Sequence, residues 1–193
     1  MEKLNGKKIN TAVFISGRGS NFKSLIDFSK EKNSPILIKL VVSNKRHAKG
    51  LVYAKLFKIK TFLPNYNNIN ISEKNILKQL KKYKINLIFL AGFMKILSSN
   101  FIKKFKKPIL NIHPSLLPKY KGLNTHKRVL KKKDKFSGST VHLVTQKLDS
   151  GQIILQKKVK ISKYENVKSL ENKILKIEHK LYPEAIKKFL SNY

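Results

Sequence analysis

Short apolar segments alternate with segments of helical periodicity along most of the chain. Residues 8–16, 36–42 and 85–90 have the length and the apolar composition of buried strands. Each is followed by a segment in which apolar residues recur three or four positions apart, as on one face of a helix. Strands that alternate with helices form a mostly parallel sheet with helices on both faces. The sequence therefore predicts an α/β fold.

The helices of this fold have signals of their own. We predict one helix over residues 45–57 and another over residues 73–83, which Ser72 caps. A long terminal helix is predicted over residues 166–190. Pro183 lies inside it and is a candidate for a break or a kink.

The C-terminal part of the sequence predicts a β-hairpin before the terminal helix. Residues 140–145 alternate between apolar and polar side chains, and residues 152–161 form a second strand after a turn. The length of 193 residues suits one domain with a single core.

The composition excludes several classes of protein. No apolar run approaches the roughly 18 residues of a membrane span. Cysteine is absent, which excludes disulfides and thiolate chemistry. The N-terminus is polar up to Lys8 and lacks the apolar core of a signal peptide. We therefore expect a soluble protein of the cytoplasm.

The formal net charge of +33 raises the question of nucleic-acid binding. Arginine, the residue best suited to bind phosphate in a bidentate manner, occurs only at Arg18, Arg46 and Arg128. Lysines are spread along the whole chain, and asparagine and isoleucine are also abundant. This pattern is typical of a compositional bias. We expect no specific nucleic-acid partner, and a salt-dependent attraction to polyanions.

A glycine-rich turn, Gly17-Arg18-Gly19-Ser20-Asn21, joins the first strand to the first helix. In such a turn the glycines let the backbone approach a ligand, and the free amides at the helix start attract an anion. Ser20 and Asn21 can add hydrogen bonds. We predict a phosphate site here. The alternative is an ordinary turn in which Ser20 or Asn21 caps the helix.

A strand that ends at a proline carries two polar side chains on one face. Residues 109–113 precede Pro114, and Asn111 and His113 alternate with apolar neighbours. In open α/β sheets, ligands bind at the carboxyl ends of the strands. We therefore predict that both side chains lie in a site.

Asp149, one of only three aspartates, lies in a turn between two apolar strands. A carboxylate beside an imidazole favours the protonated ring, so His113 and the amide of Asn111 would both donate to a developing oxyanion. The chain shows no motif for a nucleophile and no spacing of metal ligands. This set favours direct acyl transfer to an amine of the substrate. The alternative for Asp149 is a turn role beside Gly151, and His142 is expected to be structural.

Residues 90–97, which follow the fourth strand, leave two alternatives open. Their apolar cluster can belong to the core, or the glycine at the strand end can open a pocket for a flat ring.

Several segments together resemble one enzyme family, and they follow the family's order along nearly the whole chain. They are residues 16–21, 43–45, 90–97, 111–118, 139–142, 148–154 and 178–179. The chain resembles the phosphoribosylglycinamide formyltransferases of purine synthesis. The resemblance implies a Rossmann-like sheet completed by a β-hairpin and a long terminal helix. It also implies transfer of a formyl group from 10-formyltetrahydrofolate to the amine of glycinamide ribonucleotide.

The resemblance implies roles for individual residues. The implied catalytic residues are Asn111, His113 and Asp149. The phosphate and ribose of the nucleotide would be bound by Gly17, Arg18, Gly19, Ser20, Asn21 and Glu178. Folate would be bound by Phe93, Met94, Lys95, Ile96, Leu97, Asn111, Val144 and Asp149. The Leu117–Pro118 bond is a candidate for the cis form.

The implied partners are the two small-molecule substrates, with 10-formyltetrahydrofolate as the formyl donor. No metal, no specific nucleic acid and no membrane is implied, and the protein would be a monomer or a homodimer. The chain would form a single formyltransferase domain over residues 1–193. Its nucleotide-phosphate-binding half would span about 8–105, and its folate-binding and catalytic half about 106–193.

The sequence departs from the family pattern at three positions. Lys95 replaces a common arginine, Lys121 replaces a common proline, and Asn67-Asn68-Ile69 lies where many members carry an arginine that contacts substrate. The last of these departures affects one contact with the substrate and leaves the chemistry intact.

Three alternative functions share some of these sequence features. A methionyl-tRNA formyltransferase would share the donor and the catalytic residues, and the basic charge would suit tRNA, but a further C-terminal domain is expected there. A formyltetrahydrofolate hydrolase is expected to carry an extra N-terminal domain. A basic nucleic-acid-binding module would show clustered arginines and exposed aromatic residues.

Overall fold

The computed structural model describes residues 8–192. We predicted from the polar N-terminus that a signal peptide is absent. Residues 1–7, on which that prediction rests, lie outside the described range. The strands of the described part are β1 Ile9–Ile15, β2 Ile36–Ser43, β3 Lys60–Phe62, β4 Leu87–Leu90, β5 Ile109–His113, β6 Phe136–Leu143 and β7 Ile153–Lys160. Its helices are α1 Ser20–Lys30, α2 Leu51–Leu56, α3 Ile69–Lys82, α4 Ser99–Phe105, α5 Thr125–Lys131 and α6 Val167–Ser191.

These strands form a seven-stranded sheet in the order β3-β2-β1-β4-β5-β6-β7. β1 pairs in parallel with β2 and β4, and β2 pairs in parallel with β3. β6 and β7 form an antiparallel hairpin. The predicted α/β fold, with its mostly parallel sheet and its hairpin, is confirmed. Contacts divide the described residues into an N-terminal and a C-terminal unit, with the boundary between Leu110 and Asn111. That the chain forms a single domain stays a prediction.

The core of the N-terminal unit is built around β1. The residues from Ala12 to Ile15 are fully buried, as expected for a central strand covered on both faces. α1 adds the buried side chains that its helical spacing predicted, which are Phe22, Leu25, Ile26 and Phe28. None of the helices within residues 8–192 combines the length and the hydropathy that crossing a membrane requires.

Two helices of the N-terminal unit begin elsewhere than the sequence predicted. α2 begins at Leu51 instead of residue 45, because Gly50 is held by a hydrogen bond from its amide to the Gly17 carbonyl, 3.0 Å away. α3 begins at Ile69, because Asn68 caps it by accepting from the Ile71 amide at 3.1 Å. Ser72 lies inside this helix, so its predicted role as the cap is wrong.

The hairpin of the C-terminal unit is shifted from its predicted position. β6 begins at Phe136 and ends at Leu143, so Val144 follows the strand instead of belonging to it. The sequence did not reveal that β6 begins at Phe136, because the segment contains Gly138. Glycine is small enough for the close pairing of the two strands there. A Cβ there would lie 2.2 Å from the Lys157 carbonyl oxygen.

The terminal helix α6 begins with a capping box between Asn166 and Ser169. It continues through Pro183 without a break, and buried side chains on both sides of the proline hold it against the core. These are Leu170, Ile174, Leu181, Tyr182, Ala185 and Ile186.

Candidate active site

The carboxyl end of β5 presents Asn111 and His113 on one face, as the alternation predicted. His113 is buried, with 6% of its surface exposed. Its Nε2 lies 2.9 Å from the Tyr120 carbonyl oxygen, which fixes a proton on that nitrogen because a carbonyl only accepts. Ser115 donates its hydroxyl to the Lys119 carbonyl at 2.7 Å. Ser115 therefore serves the loop that follows the strand.

Asp149 extends from the turn between β6 and β7 towards these side chains. Its Oδ2 accepts from the Gly122 amide at 2.8 Å and lies 3.4 Å from His113 Nδ1. Its Oδ1 lies 3.6 Å from His142 Nε2. Only 8% of the Asp149 side chain is exposed. The three side chains predicted to be catalytic thus lie together inside the C-terminal unit.

His142 belongs to the same cluster, although the sequence indicated a structural residue. It is 2% exposed, and its Nε2 lies 3.1 Å from Asn111 Nδ2. The position of His142 on β6 is the sequence signal that could have identified it as a site residue. Its side chain faces opposite to the core residue Val141, close to where the Asp149 turn begins.

Burial sets the charge state of this cluster. Burial lowers the pKa of His113 below 6.5, although the Tyr120 carbonyl and Asp149 oppose it. Burial raises the pKa of Asp149, but the neighbouring His142 and His113 rings, which favour the carboxylate when they are protonated, and the Gly122 amide outweigh it, so this pKa lies below 3.8. At neutral pH the carboxylate is therefore charged and the His113 ring is neutral. The predicted protonated His113 does not hold for this arrangement, because burial outweighs the neighbouring carboxylate.

The glycine-rich turn leads into α1 with its amides uncapped. Gly19 is the N-cap residue at φ 75°, and no side chain caps the helix, which disfavours the alternative role of Ser20 or Asn21 as a cap. α1 carries no acidic residue in its first turn. Backbone amides and the positive end of the helix dipole are therefore available to an anion.

Gly50 is a part of this turn that the sequence did not indicate. A Cβ on Gly50 would lie 2.9 Å from Gly19 Cα, and a Cβ on Gly19 would lie 2.5 Å from Gly50 Cα. Gly17 has open space where its Cβ would be. The close approach of two backbones therefore shapes the turn, and it requires glycine at positions 19 and 50.

The predicted folate segment follows β4 in the N-terminal unit. The Met94 amide donates to the Ser16 hydroxyl at 2.7 Å, which anchors the segment to the end of β1. The Phe93 ring packs edge-on against Phe14, 5.3 Å between centroids. Leu97 is buried, whereas the apolar side chains of Met94 and Ile96 are 60% and 68% exposed. The segment thus combines core residues with exposed apolar side chains.

Glu178, the predicted ribose ligand, is a buried carboxylate on α6, with 6% of its surface exposed. The Ser139 hydroxyl lies 3.1 Å from its Oε1 and 2.9 Å from the His113 carbonyl oxygen. Glu178 is therefore linked through one hydroxyl to the end of β5. Val144, predicted to contact folate, is half-buried just after β6.

Known proteins are similar to this chain in fold and in sequence. A family model described as formyl transferase matches residues 9–186. A phosphoribosylglycinamide formyltransferase of Haemophilus influenzae is 43% identical over 186 residues, which are 95% of this chain and 87% of that protein. A phosphoribosylglycinamide formyltransferase of Brucella melitensis, known from its crystal structure, is 40% identical with a TM-score of 0.90, over 95% of this chain and 96% of that one. The chain belongs to the phosphoribosylglycinamide formyltransferases, enzymes of the formyl transferase family.

A longer relative contains a similar segment. The human trifunctional purine biosynthetic protein adenosine-3 is 42% identical over 183 residues, which are 93% of this chain and 18% of that protein. The chain thus spans less than a fifth of the length of this relative.

The departures from the family pattern lie on the surface of the two units. Lys121 donates from Nζ to the Ser150 hydroxyl at 2.5 Å, next to Asp149 in the hairpin turn. Lys95 Nζ lies 5.8 Å from the centre of the Tyr66 ring. Ile69 is 43% exposed at the start of α3.

The Leu117–Pro118 bond is cis, as the resemblance implied. Within residues 8–192, no group of three or more histidine, cysteine, aspartate or glutamate side chains is arranged to hold a metal ion.

Proposed function

We propose that the protein transfers the formyl group of 10-formyltetrahydrofolate to the amine of glycinamide ribonucleotide. The observation that carries this proposal is the convergence of half-buried Asn111 with the buried side chains of His113 and Asp149 at the end of β5. Family membership supports the same reaction. The products would be N-formylglycinamide ribonucleotide and tetrahydrofolate, as a step of de novo purine synthesis in the cytoplasm.

The first step is attack of the amine nitrogen on the formyl carbon. A new C–N bond forms, and the carbonyl oxygen takes up negative charge. Asn111 Nδ2 carries two hydrogens, of which one is directed at His142 Nε2 and the other can donate to this oxyanion. One such donor in a buried site contributes about 10²–10³ in rate.

His113 can accept a proton at Nδ1 and then carries a positive charge. Its Nε2 proton is held by the Tyr120 carbonyl, so the bare Nδ1 faces the charged oxygen of Asp149 across 3.4 Å. Two lone pairs in this position favour binding of one proton between them. Once Nδ1 has received, through Asp149, the proton that the attacking amine releases, the imidazolium stabilises the nearby oxyanion. A direct hydrogen bond from His113 to the oxyanion would use Nε2 after it has left the Tyr120 carbonyl.

The proton balance of the reaction gives Asp149 its role. The attacking amine must lose one proton, and the leaving N10 of the folate must gain one when the C–N10 bond breaks. We infer that Asp149, directly or through a water, takes the proton from the amine and returns it to N10. Because the pKa of the Asp149 carboxyl is low, the group is ionised at neutral pH and has a lone pair for the proton.

Three sets of residues would bind the substrates. We propose that the phosphate is bound at Gly17, Arg18, Gly19, Ser20 and Asn21, where α1 offers uncapped amides, and that the ribose is bound by Glu178. We propose that folate is bound by Phe93, Met94, Lys95, Ile96, Leu97, Asn111, Val144 and Asp149. 10-Formyltetrahydrofolate would be the formyl donor, without a metal, and the protein would act as a monomer or a homodimer without a nucleic-acid or membrane partner.

An acceptor assay tests this proposal against a transfer-RNA formyltransferase. Purified protein is incubated with 10-formyltetrahydrofolate and either glycinamide ribonucleotide or charged initiator tRNA, and tetrahydrofolate formation is measured. We expect turnover with the ribonucleotide only. Turnover with the charged tRNA, or release of formate without any acceptor, would contradict the proposal.

A further inference from the structure

His142 has two polar neighbours that define where its ring carries a proton. Its Nδ1 lies 2.8 Å from the Leu143 carbonyl oxygen, and its Nε2 lies 3.1 Å from Asn111 Nδ2. A carbonyl oxygen only accepts, so Nδ1 carries the hydrogen. An amide nitrogen only donates, so Nε2 presents its lone pair to Asn111. These two contacts place the hydrogen of the ring on Nδ1.

This tautomer determines the orientation of the Asn111 amide. The terminal torsion of an asparagine is broad and roughly two-fold, so the nitrogen and the oxygen of the amide can exchange places. Exchange would set the Asn111 carbonyl oxygen against the Nε2 lone pair, which is unfavourable. With His142 in place, the nitrogen stays on the His142 side, and its second hydrogen remains available for another acceptor.

We propose that His142 is a positioning residue that holds the Asn111 amide as a donor to the oxyanion of formyl transfer. This inference rests on the proposed function for its catalytic consequence, but the hydrogen-bond arrangement exists without substrate. His142 is 2% exposed and Asp149 Oδ1 is 3.6 Å from its Nε2, so the acceptor lies inside the cluster and away from solvent. Without this acceptor, Asn111 would spend part of its time with its oxygen towards the oxyanion, where it repels negative charge.

Two variants separate the acceptor from the shape of the side chain. His142→Phe keeps a flat ring and removes the acceptor, whereas His142→Gln offers an oxygen that can accept from Asn111. We expect kcat to fall about tenfold or more in His142→Phe, with both KM values nearly unchanged, because only the transition state carries the oxyanion. His142→Gln should restore most of kcat. Ser137→Ala, a buried change on the same strand that leaves the cluster untouched, should keep kcat at its original value.

A double variant tests whether His142 acts through Asn111. If it does, adding His142→Phe to Asn111→Ala costs little beyond Asn111→Ala alone. Losses that multiply would overturn the proposal, and so would full activity of His142→Phe or an equal loss in the Phe and Gln variants. If His142→Phe does not fold, His142→Leu takes its place in both comparisons.

A measurement without substrate keeps this inference separate from the proposed function. Long-range ¹H–¹⁵N correlation spectra of the unmodified protein at neutral pH should show His142 as the Nδ1–H tautomer. The Nε2–H tautomer or a cationic ring would overturn the inference even in an active enzyme. The expected tautomer in a protein inactive towards glycinamide ribonucleotide would instead count against the proposed function.

Discussion

Replacing Asp149 by asparagine removes one charge and keeps nearly the same shape. The amide oxygen of Asp149→Asn can still accept from Gly122, so we expect little change in the free energy of unfolding. The variant cannot take a proton from the amine, and it no longer faces the bare Nδ1 of His113 with a charge. We therefore expect kcat to fall by about two decades or more, as for other general acid–base groups. Steady-state kinetics and thermal unfolding of the same sample measure both quantities.

Two controls accompany this prediction. Asp27→Asn removes a carboxylate that pairs with Lys23 on the surface of α1, so it should leave kcat unchanged. Replacing His113 in addition to Asp149 should cost much less than the product of the two single losses, because the two residues act as a unit. Near-normal turnover in a folded Asp149→Asn variant would return Asp149 to a role in the turn.

At the scale of elements, the turn before α1 depends on two glycines far apart in sequence. A Cβ at position 50 meets the Gly19 backbone, and backbone atoms cannot give way cheaply. We expect Gly50→Ala to displace the turn and to raise the KM for glycinamide ribonucleotide at least tenfold, with a smaller effect on the KM for the folate. Gly17→Ala adds a methyl group in open space, so its effect should be much milder. Equal effects of the two substitutions would contradict this account of the turn.

The local elements were predictable where one pattern dominated. Apolar runs gave β1, β2 and β4 to within a few residues, and the period of α1 gave its buried face. The start of α3 was missed because Asn68 and Ser72 are both common cap residues. The choice between them depends on backbone geometry, with Asn68 extended at φ −128°.

Long-range contacts explain what the sequence could not show of the site. Asn111 and His142 are 31 positions apart, and only the pairing of the strands brings them into hydrogen-bond distance. The approach of Gly50 to Gly19 is likewise a contact between two loops. The neutral state of His113 reflects its burial in the folded protein. A sequence pattern reports neighbours along the chain, and each of these features depends on neighbours in space.

At the scale of the whole molecule, one buried and two half-buried histidines make stability depend on pH. Burial lowers the pKa of His113, His126 and His179 below 6.5. As the pH falls through about 6.5, the unfolded chain binds protons that the folded protein still excludes. The free energy of unfolding should therefore decrease from pH 7.5 to pH 5.5, as urea denaturation would show. A double variant with glutamine at positions 126 and 179 should lose less stability over this range.

The net charge of +33 gives the last prediction. Excess lysine along the whole chain attracts any polyanion by release of counterions, so binding to RNA should weaken steeply as salt increases. At physiological ionic strength the Debye length is about 8 Å, and surface lysines then act only on phosphates close to them. We expect labelled RNAs of unrelated sequence to bind equally at low salt and to dissociate at physiological salt. Binding to tRNA that is selective and survives physiological salt would show that the charge serves a partner, and it would favour a tRNA acceptor over the ribonucleotide.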